Sequence, residues 1–196
     1  MKIPVICISL GLLSATLAGE PARPVPPDPA SAWSVDFETG SLWRVSNNTF
    51  LDYVVLPQII SLRTPAHFRF NPGRGELTLR SRFSLLAEAV ASGPESVYLG
   101  FSASPSLEYW FPGRTTSLYA SIGGGFGTVD STDVPGGQGQ DFTLNWFASA
   151  GVRHYLKPGF AVSAGMMFQH WSNGGATDPN PGLDSLGPII GASWHF

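Results

Sequence analysis

Apolar and polar residues alternate along most of the chain beyond residue 32, as they do in strands with one apolar and one polar face. Between Ser96 and Phe111 the odd-numbered positions are mainly apolar, whereas the even-numbered ones are mainly small or polar. The polar positions include Ser102, Ser104, Ser106 and Glu108. The stretch from Gly75 to Val90 repeats this pattern. The period of two predicts strands, and no apolar run after the amino-terminal segment reaches the ~20 residues of a membrane-spanning helix.

Turn signals divide the alternating pattern into eight candidate strands. These strands are predicted at 33–45, 51–62, 75–90, 96–111, 116–129, 141–155, 160–172 and 183–196. Pro112-Gly113 and Pro158-Gly159 mark tight turns, because proline presets φ and glycine accepts the strained position. Eight is also the strand number of the smallest membrane barrels.

A soluble sandwich would alternate in the same way with its apolar face in a core, so other features must distinguish the two folds. Charges on the polar face can pair inside a narrow lumen, and aromatic residues near strand ends are typical of interfacial girdles. The charges are Glu76, Arg80, Arg82 and Glu108, and the aromatic residues include Tyr109, Trp110, Phe111, Trp194 and Phe196. The predicted fold class is all-β, an eight-stranded antiparallel transmembrane β-barrel of the outer-membrane type over residues 32–196. A periplasmic β-domain is the alternative.

The orientation of such a barrel follows from counting strands. If the amino terminus is periplasmic, the turns at 112–113 and 158–159 are periplasmic and the connections 129–140 and 173–182 are external. This agrees with the short inner turns and longer outer loops of membrane barrels. The loop from Pro65 to Gly73 departs from that rule, since counting makes it periplasmic.

The first residues predict export. Residues 1–18 carry one charge, an apolar run and small residues near Ala18, which is the pattern of a secretory signal peptide. Residues 19–31 are rich in proline and predict an irregular periplasmic leader, because proline lacks an amide donor and restricts the residue before it. Cys7 lies inside the signal peptide, so the mature chain is expected to form no disulfide of its own.

Several other kinds of site are not favoured. The net charge of −3 gives no broad basic surface for nucleic acid. The histidines outside the candidate site show no metal-ligand spacing, and the glycines at 123–125 are not followed by the helix of a phosphate loop. Glu108 with Arg80 or Arg82 is expected to form a lumen ion pair rather than a second site.

The residue types of an esterase gather between Phe168 and Asp184. His170 and Ser172 continue the apolar even-numbered row of the seventh strand, and Asp184 lies on the even-numbered row of the eighth. Neighbouring antiparallel strands bring opposed side chains to about 5 Å, so the three groups are expected to meet on the lipid-facing side at the external rim. Ser172 is then the predicted nucleophile, His170 the base and Asp184 the acid that orients the imidazole.

The loop after Ser172 offers groups that can support this chemistry. Asn173 and a backbone amide at Gly174 or Gly175 can bind an oxyanion, because glycine permits a close backbone approach. Asn180, with the Pro-Gly that follows it, predicts a type II turn leading into the last strand. A girdle histidine beside a rim serine is the simpler interpretation of this motif taken alone, whereas the shared face with Asp184 favours catalysis.

Two segments of this region together resemble a known family. They are His170-Trp-Ser172-Asn173-Gly-Gly and Asn180-Pro-Gly-Leu-Asp184, followed by a strand that ends in Trp-His-Phe. They are similar to the lipid A 3-O-deacylase (PagL-like), or acyloxyacyl hydrolase, family of outer-membrane enzymes. The resemblance implies an eight-stranded barrel whose Ser-His-acid triad removes the ester-linked acyl chain at position 3 of lipid A without a cofactor.

The resemblance also implies residue roles. Ser172 would be the nucleophile, His170 the base, Asp184 the acid, and Asn173 with Gly175 the oxyanion hole. The best-known members of the family have glutamate at the position of Asp184, so the shorter carboxylate has to reach the histidine. Asp178 in the loop is the other candidate acid.

The sequence therefore predicts an outer-membrane esterase that acts on lipid A or lipopolysaccharide in the outer leaflet, with no metal or other cofactor. A non-catalytic structural barrel and a surface binding barrel that uses its outer loops are the alternatives. The preferred acyl chain and the number of subunits are not specified by the residues.

Overall fold

The computed structural model describes residues 28–46 and 51–196 and shows one antiparallel sheet that closes into a barrel. Its strands are β1 (Ser34–Gly40), β2 (Leu42–Arg44), β3 (Val54–Arg63), β4 (Phe68–Phe70), β5 (Glu76–Ser92), β6 (Val97–Trp110), β7 (Thr116–Val129), β8 (Phe142–Lys157), β9 (Phe160–Ser172) and β10 (Leu183–His195). The barrel closes where β1 pairs with β10, from Ser34 opposite His195 to Gly40 opposite Ile189.

The wall has the eight strands that the alternation predicts. β1 and β2 form one wall strand interrupted at Ser41, since both pair with β3 and β10. β4 lies inside the long connection from Pro65 to Gly73 and pairs with β5, Phe68 opposite Leu79. This connection is long because part of it extends the wall beyond β3.

We call the two ends of the barrel the terminal end and the loop end. The terminal end carries both described chain ends and the tight turns at 111–115 and 158–159, and the loop end carries the connections 93–96, 130–141 and 173–182. Arg114, in the first of these turns, takes φ of 54° directly after Gly113 at φ 88°. Such a left-handed pair reverses the chain tightly.

Side chains alternate between the lumen and the outside, as strand geometry requires. On β9, Met167, Gln169 and Trp171 are buried in the lumen, while Met166 and Phe168 lie on the outer side. The outside carries many exposed large apolar side chains, among them Leu85 at 63%, Ile122 at 61% and Ile190 at 61% exposure. Such an apolar outer belt is the pattern of a barrel in lipid.

The lumen is divided into two halves of different chemistry. Its loop-end half is an apolar and aromatic cluster in which Tyr98 stacks on Trp171 with ring centroids 4.6 Å apart. Its terminal-end half is charged. There Arg63 and Arg153 each pair with both Asp36 and Glu108, with N···O distances between 2.6 and 3.4 Å.

The remaining lumen arginines have other partners. Arg82 pairs with Glu38, and Arg80 donates to the carbonyl oxygens of Thr64 and Ala32. The expected pairing of Glu108 with Arg80 or Arg82 is therefore wrong. The arginines that reach Glu108 come from β3 and β8, and this pairing across the lumen is invisible to alternation within a single strand.

A short amino-terminal segment covers the terminal end. Pro29–Ser31 form one 3₁₀ turn, capped by the Asp28 side chain, and Ala30 is fully buried. The end of the leader is thus ordered here, although its prolines predict an irregular segment. No helix in residues 28–46 or 51–196 is long and apolar enough to cross a membrane. The predicted signal peptide and residues 19–27 lie outside the described residues.

Candidate active site

The register of β9 and β10 places His170 directly opposite Asp184. Both side chains lie on the outer side of the wall near the loop end, with exposures of 23% and 20%. Imidazole Nδ1 lies 2.6 Å from carboxylate Oδ1, a short charge-assisted hydrogen bond in which Nδ1–H donates. This contact fixes the ring orientation and leaves Nε2 as the second, basic nitrogen.

Ser172 lies two residues beyond His170 on the same side of β9 and is half-buried. Its neighbour on β8 is Leu144. Within the residues that the structure describes, its hydroxyl forms no hydrogen bond. The structure therefore brings histidine and aspartate into contact and places the serine on the same face, one outward position nearer the loop.

Trp146 on β8 flanks the imidazole from the other side, because the β8–β9 register places it opposite His170. The two rings have centroids 6.1 Å apart, and Trp146 also packs on Phe168 with centroids 4.8 Å apart. The alternation puts Trp146 on an outward row, but its place beside His170 depends on the pairing register between strands, which the sequence does not reveal.

The predicted support residues Asn173, Gly175 and Asn180 come together in the β9–β10 connection. Asn173 is buried, and its Nδ2 donates to backbone oxygens of Gln138, Thr177 and Pro179. Its backbone N–H donates to Asn180 Oδ1 at 2.9 Å, and Gly175 N–H donates to Asn173 Oδ1 at 2.8 Å. These donors are engaged within the connection, so their visible role is to hold its shape.

The connection ends against the His170–Asp184 pair. Gly182 takes φ of 64°, which suits the third residue of the predicted Asn-Pro-Gly turn. A Cβ at this position would lie 3.4 Å from His170 Cε1. The backbone at Gly182 therefore packs close to the imidazole edge.

An apolar furrow of about 650 Å³ lies on the outer wall of the barrel. Small side chains form its floor at Ala120, Ala148 and Ala150, and Met166 and Phe168 form one side. Ala148 pairs with Phe168, one outward position below the Trp146–His170 pair. Phe168, which lines the furrow, thus lies one outward position from His170 on β9.

The other histidines form hydrogen bonds with neighbouring side chains. His67 contacts Ser81, His154 contacts Thr116 and His195 contacts Tyr155, at distances of 2.7 to 3.0 Å. Across residues 28–46 and 51–196, no group of three or more His, Cys, Asp or Glu side chains is arranged to hold a metal ion. Asp178, the other candidate acid, is exposed in the connection.

A family model described as lipid A 3-O-deacylase (PagL) matches residues 23–193 of the chain. The fold is similar to that of a solved structure described as the crystal structure of the outer membrane enzyme PagL, with a TM-score of 0.57 and 19% sequence identity. That alignment covers 81% of this chain and 97% of the other. No curated protein matches the chain in sequence. At such low identity the structural likeness concerns the fold, whereas the family match spans nearly all of the barrel.

Proposed function

Because the chain belongs to the lipid A 3-O-deacylase (PagL) family, we propose that it hydrolyses the ester-linked 3-O-acyl chain of lipid A through Ser172, His170 and Asp184. The observation that carries this proposal is the 2.6 Å contact between His170 Nδ1 and Asp184 Oδ1 on the outer side of the wall. Ionisable groups at membrane depth are costly, so such a pair is a candidate functional site.

The protein is a bacterial outer-membrane barrel. With a periplasmic amino terminus, its loop end faces the cell exterior. The outward-facing pair near the loop end then lies level with the outer leaflet, where lipid A resides. A substrate held in the leaflet can reach this site from the side without entering the lumen, which is filled by side chains.

The first half of the reaction forms an acyl-enzyme. Ser172 Oγ attacks the ester carbonyl while His170 Nε2 takes its proton, and Asp184 stabilises the imidazolium through Nδ1–H. The tetrahedral oxyanion collapses, the bond to the sugar oxygen breaks, and the imidazolium gives the proton to that leaving oxygen, which becomes the free hydroxyl. The products are 3-O-deacylated lipid A and an acyl ester on Ser172.

The second half restores the enzyme. Water attacks the acyl-serine with His170 again as base, and a fatty acid leaves. For the oxyanion, the candidate donors lie in the connection that follows Ser172. Use of Gly175 N–H or Asn173 Nδ2 in this role would require each to exchange its hydrogen bond within the connection for one to the oxyanion.

The furrow below His170 supports a long acyl chain as the substrate group. It is almost wholly apolar and open towards the lipid. Alanines on its floor leave room between Met166 and the side chains of the neighbouring strands, so a hydrocarbon chain can lie along the wall with its carbonyl at the catalytic pair. Burial of each methylene contributes about 0.8 kcal/mol.

Replacement of Ser172 by alanine tests this proposal. Outer membranes that contain wild-type protein are expected to yield lipid A lighter by one 3-O-acyl chain in mass spectra, and Ser172→Ala and His170→Ala are expected to abolish that shift. Loss of one triad member typically costs a factor of about 10⁴ to 10⁶ in kcat.

Ser163→Ala is the matched control, because Ser163 lies on the same strand but faces the lumen. It should retain full activity. Lipid A that is unchanged by wild-type protein, or equally deacylated by Ser172→Ala, would contradict the proposal and favour a structural or binding barrel.

A further inference from the structure

One buried carboxylate, that of Glu95 in the β5–β6 turn, joins three connections at the loop end of the barrel. Glu95 is 4% exposed. Its Oε2 accepts a 2.6 Å hydrogen bond from the hydroxyl of Tyr53, just before β3, and its Oε1 accepts from Ser131 Oγ at 2.9 Å and from Gln138 N at 3.2 Å. Ser131 and Gln138 belong to the β7–β8 connection. We call Tyr53, Glu95, Ser131 and Gln138 the outer cap.

The outer cap holds the β9–β10 connection at both ends through Gln138. The carbonyl oxygen of Gln138 accepts from Asn173 Nδ2 at 2.7 Å, and its side-chain Oε1 accepts from Gly182 N–H at 3.3 Å. Asn173 is the first residue after β9 and Gly182 the last before β10. A single buried glutamine thus spans the segment that joins the two catalytic strands.

Both held positions adjoin the proposed triad. Asn173 directly follows Ser172, so the Gln138–Asn173 hydrogen bond restrains the backbone that carries the serine. Gly182 precedes Asp184 by two residues and packs against the edge of His170. Displacement of either end would change the position of Ser172 relative to the His170–Asp184 pair.

Burial of a carboxylate costs free energy unless its charge is fully hydrogen-bonded. Packing alone therefore does not explain a glutamate at this position. Among the described residues Glu95 has three donors and no ion-pair partner. Burial, and then the hydrogen bond to Glu95, raises the pKa of Tyr53, so its phenol stays protonated as a donor. Charged acceptors make short, directional hydrogen bonds that select one arrangement.

We infer that Glu95 and Gln138 are positioning residues for the esterase, which act by holding both ends of the 173–182 connection so that Ser172 faces His170. This inference rests on the proposed function. It assigns a role in the proposed reaction to two residues that lie in other connections, far along the chain from the triad.

The test compares Glu95→Ala with Glu95→Gln in folded barrels. Glu95→Ala should lower kcat tenfold or more with little change in KM, because a displacement of about 1 Å can cost a factor of 10². Glu95→Gln should restore most of the activity, since its amide oxygen still accepts from Gln138 and its NH₂ can donate to Tyr53. Gln138→Ala removes the side-chain contacts to Gly182 and Tyr53 and keeps the backbone contacts to Glu95 and Asn173, so its kcat should fall between those of the two Glu95 variants.

Glu76→Ala is the matched control. Glu76 bridges Arg69 and Arg114 at the terminal end, with its side chain 13% exposed, so its loss should leave kcat unchanged. Amide hydrogen exchange across 173–182 provides a readout that does not depend on activity, and it should accelerate in Glu95→Ala but not in Glu76→Ala.

The outcomes separate the two proposals. Unchanged exchange in 173–182, or wild-type kcat in folded Glu95→Ala, overturns the positioning role while Ser172-dependent activity stands. An equal loss of kcat in Glu76→Ala overturns it as well, by showing a general effect of stability. Wild-type protein without Ser172-dependent hydrolysis overturns the proposed function, and the positioning role with it, even where exchange accelerates.

Discussion

The aspartate at position 184 has one methylene fewer than the glutamate of the best-known family members, so its reach decides whether the proposed triad is complete. In this structure the shorter side chain reaches the imidazole, with Oδ1 2.6 Å from Nδ1 of His170. The direct β9–β10 pairing of the two residues makes this possible, because their Cα atoms already lie opposite each other.

Substitution at position 184 therefore tests the acid. Asp184→Asn should lower kcat by about 10⁴, because an amide neither favours the productive tautomer nor stabilises the imidazolium. Asp184→Glu should lose activity as well, though less, since the added methylene has to fit a contact already at hydrogen-bond length. Steady-state ester hydrolysis by folded barrels measures both, and Asp178→Asn serves as the control from the exposed loop. A fully active Asp184→Asn protein would exclude this carboxylate as the acid.

Single residues of the site differ in how far the sequence predicts them. His170, Ser172 and Asp184 are predicted on one outward face because strand parity is local and consecutive strands of a meander are neighbours. Trp146 and Gln138 reach the site through the β8–β9 register and through loop packing. Both depend on contacts between distant parts of the chain, so no local pattern identifies them.

At the scale of elements, boundaries with strong turn signals are predicted well. β7 and β9 begin and end at 116–129 and 160–172, as predicted from the Pro-Gly turns beside them. The break at Ser41 and the short strand β4 are not predicted. β4 has three residues between prolines, and its only reason to be extended is its pairing with the distant strand β5.

We expect the contacts of Asp28 in the 3₁₀ turn at the terminal end to weaken in acid. Asp28 caps the turn and pairs with Arg69 and Arg114. Burial alone would raise the pKa of Asp28, but the hydrogen bond from Arg69, then the Ala30 amide and the charge of Arg114, lower it below 3.8. A lowered carboxyl pKa stabilises the folded state above the unfolded value, and that stabilisation is lost as the pH falls through the folded pKa.

Asp28→Asn should accordingly lower the melting temperature slightly at pH 7, since partly exposed pairs contribute up to about 1 kcal/mol each. The difference from wild type should shrink as the pH falls through the lowered pKa of the wild-type Asp28 carboxyl, which then becomes protonated and loses its charge. Thermal unfolding followed by circular dichroism at pH 7 and at lower pH measures this. Asp52→Asn, whose side chain is 92% exposed, should show neither effect, and a pH-independent difference for Asp28→Asn would contradict the charge-based explanation.

At the scale of the whole molecule, the proposed site and the buried charge network lie at opposite ends of the barrel. The proposed site lies on the outer face near the loop end, and the charged lumen network lies at the terminal end. Alternation predicts a charged lumen, but the partners within it follow from which strands face each other across the barrel. The four-residue network of Asp36, Arg63, Glu108 and Arg153 balances two negative with two positive charges.

The balance of this network gives a prediction about folding. Glu108 is fully buried and accepts from Arg63, Arg153 and Ser117. Glu108→Gln would leave one buried arginine without a counter-charge, and loss of one partner from a buried pair typically costs about 3–5 kcal/mol. Urea unfolding in lipid vesicles, followed by tryptophan fluorescence, should show that loss.

The double variant Glu108→Gln with Arg153→Met tests whether charge balance, rather than packing, is responsible. It removes one charge of each sign and leaves Arg63 paired with Asp36 at 2.6 Å, so it should be more stable than Glu108→Gln alone. Ester hydrolysis should persist in folded molecules of both variants, because the network lies in the lumen at the opposite end from Ser172. A double variant that is less stable than the single one would show that Arg153 contributes mainly by filling space, including its packing over the Tyr119 ring at 4.9 Å.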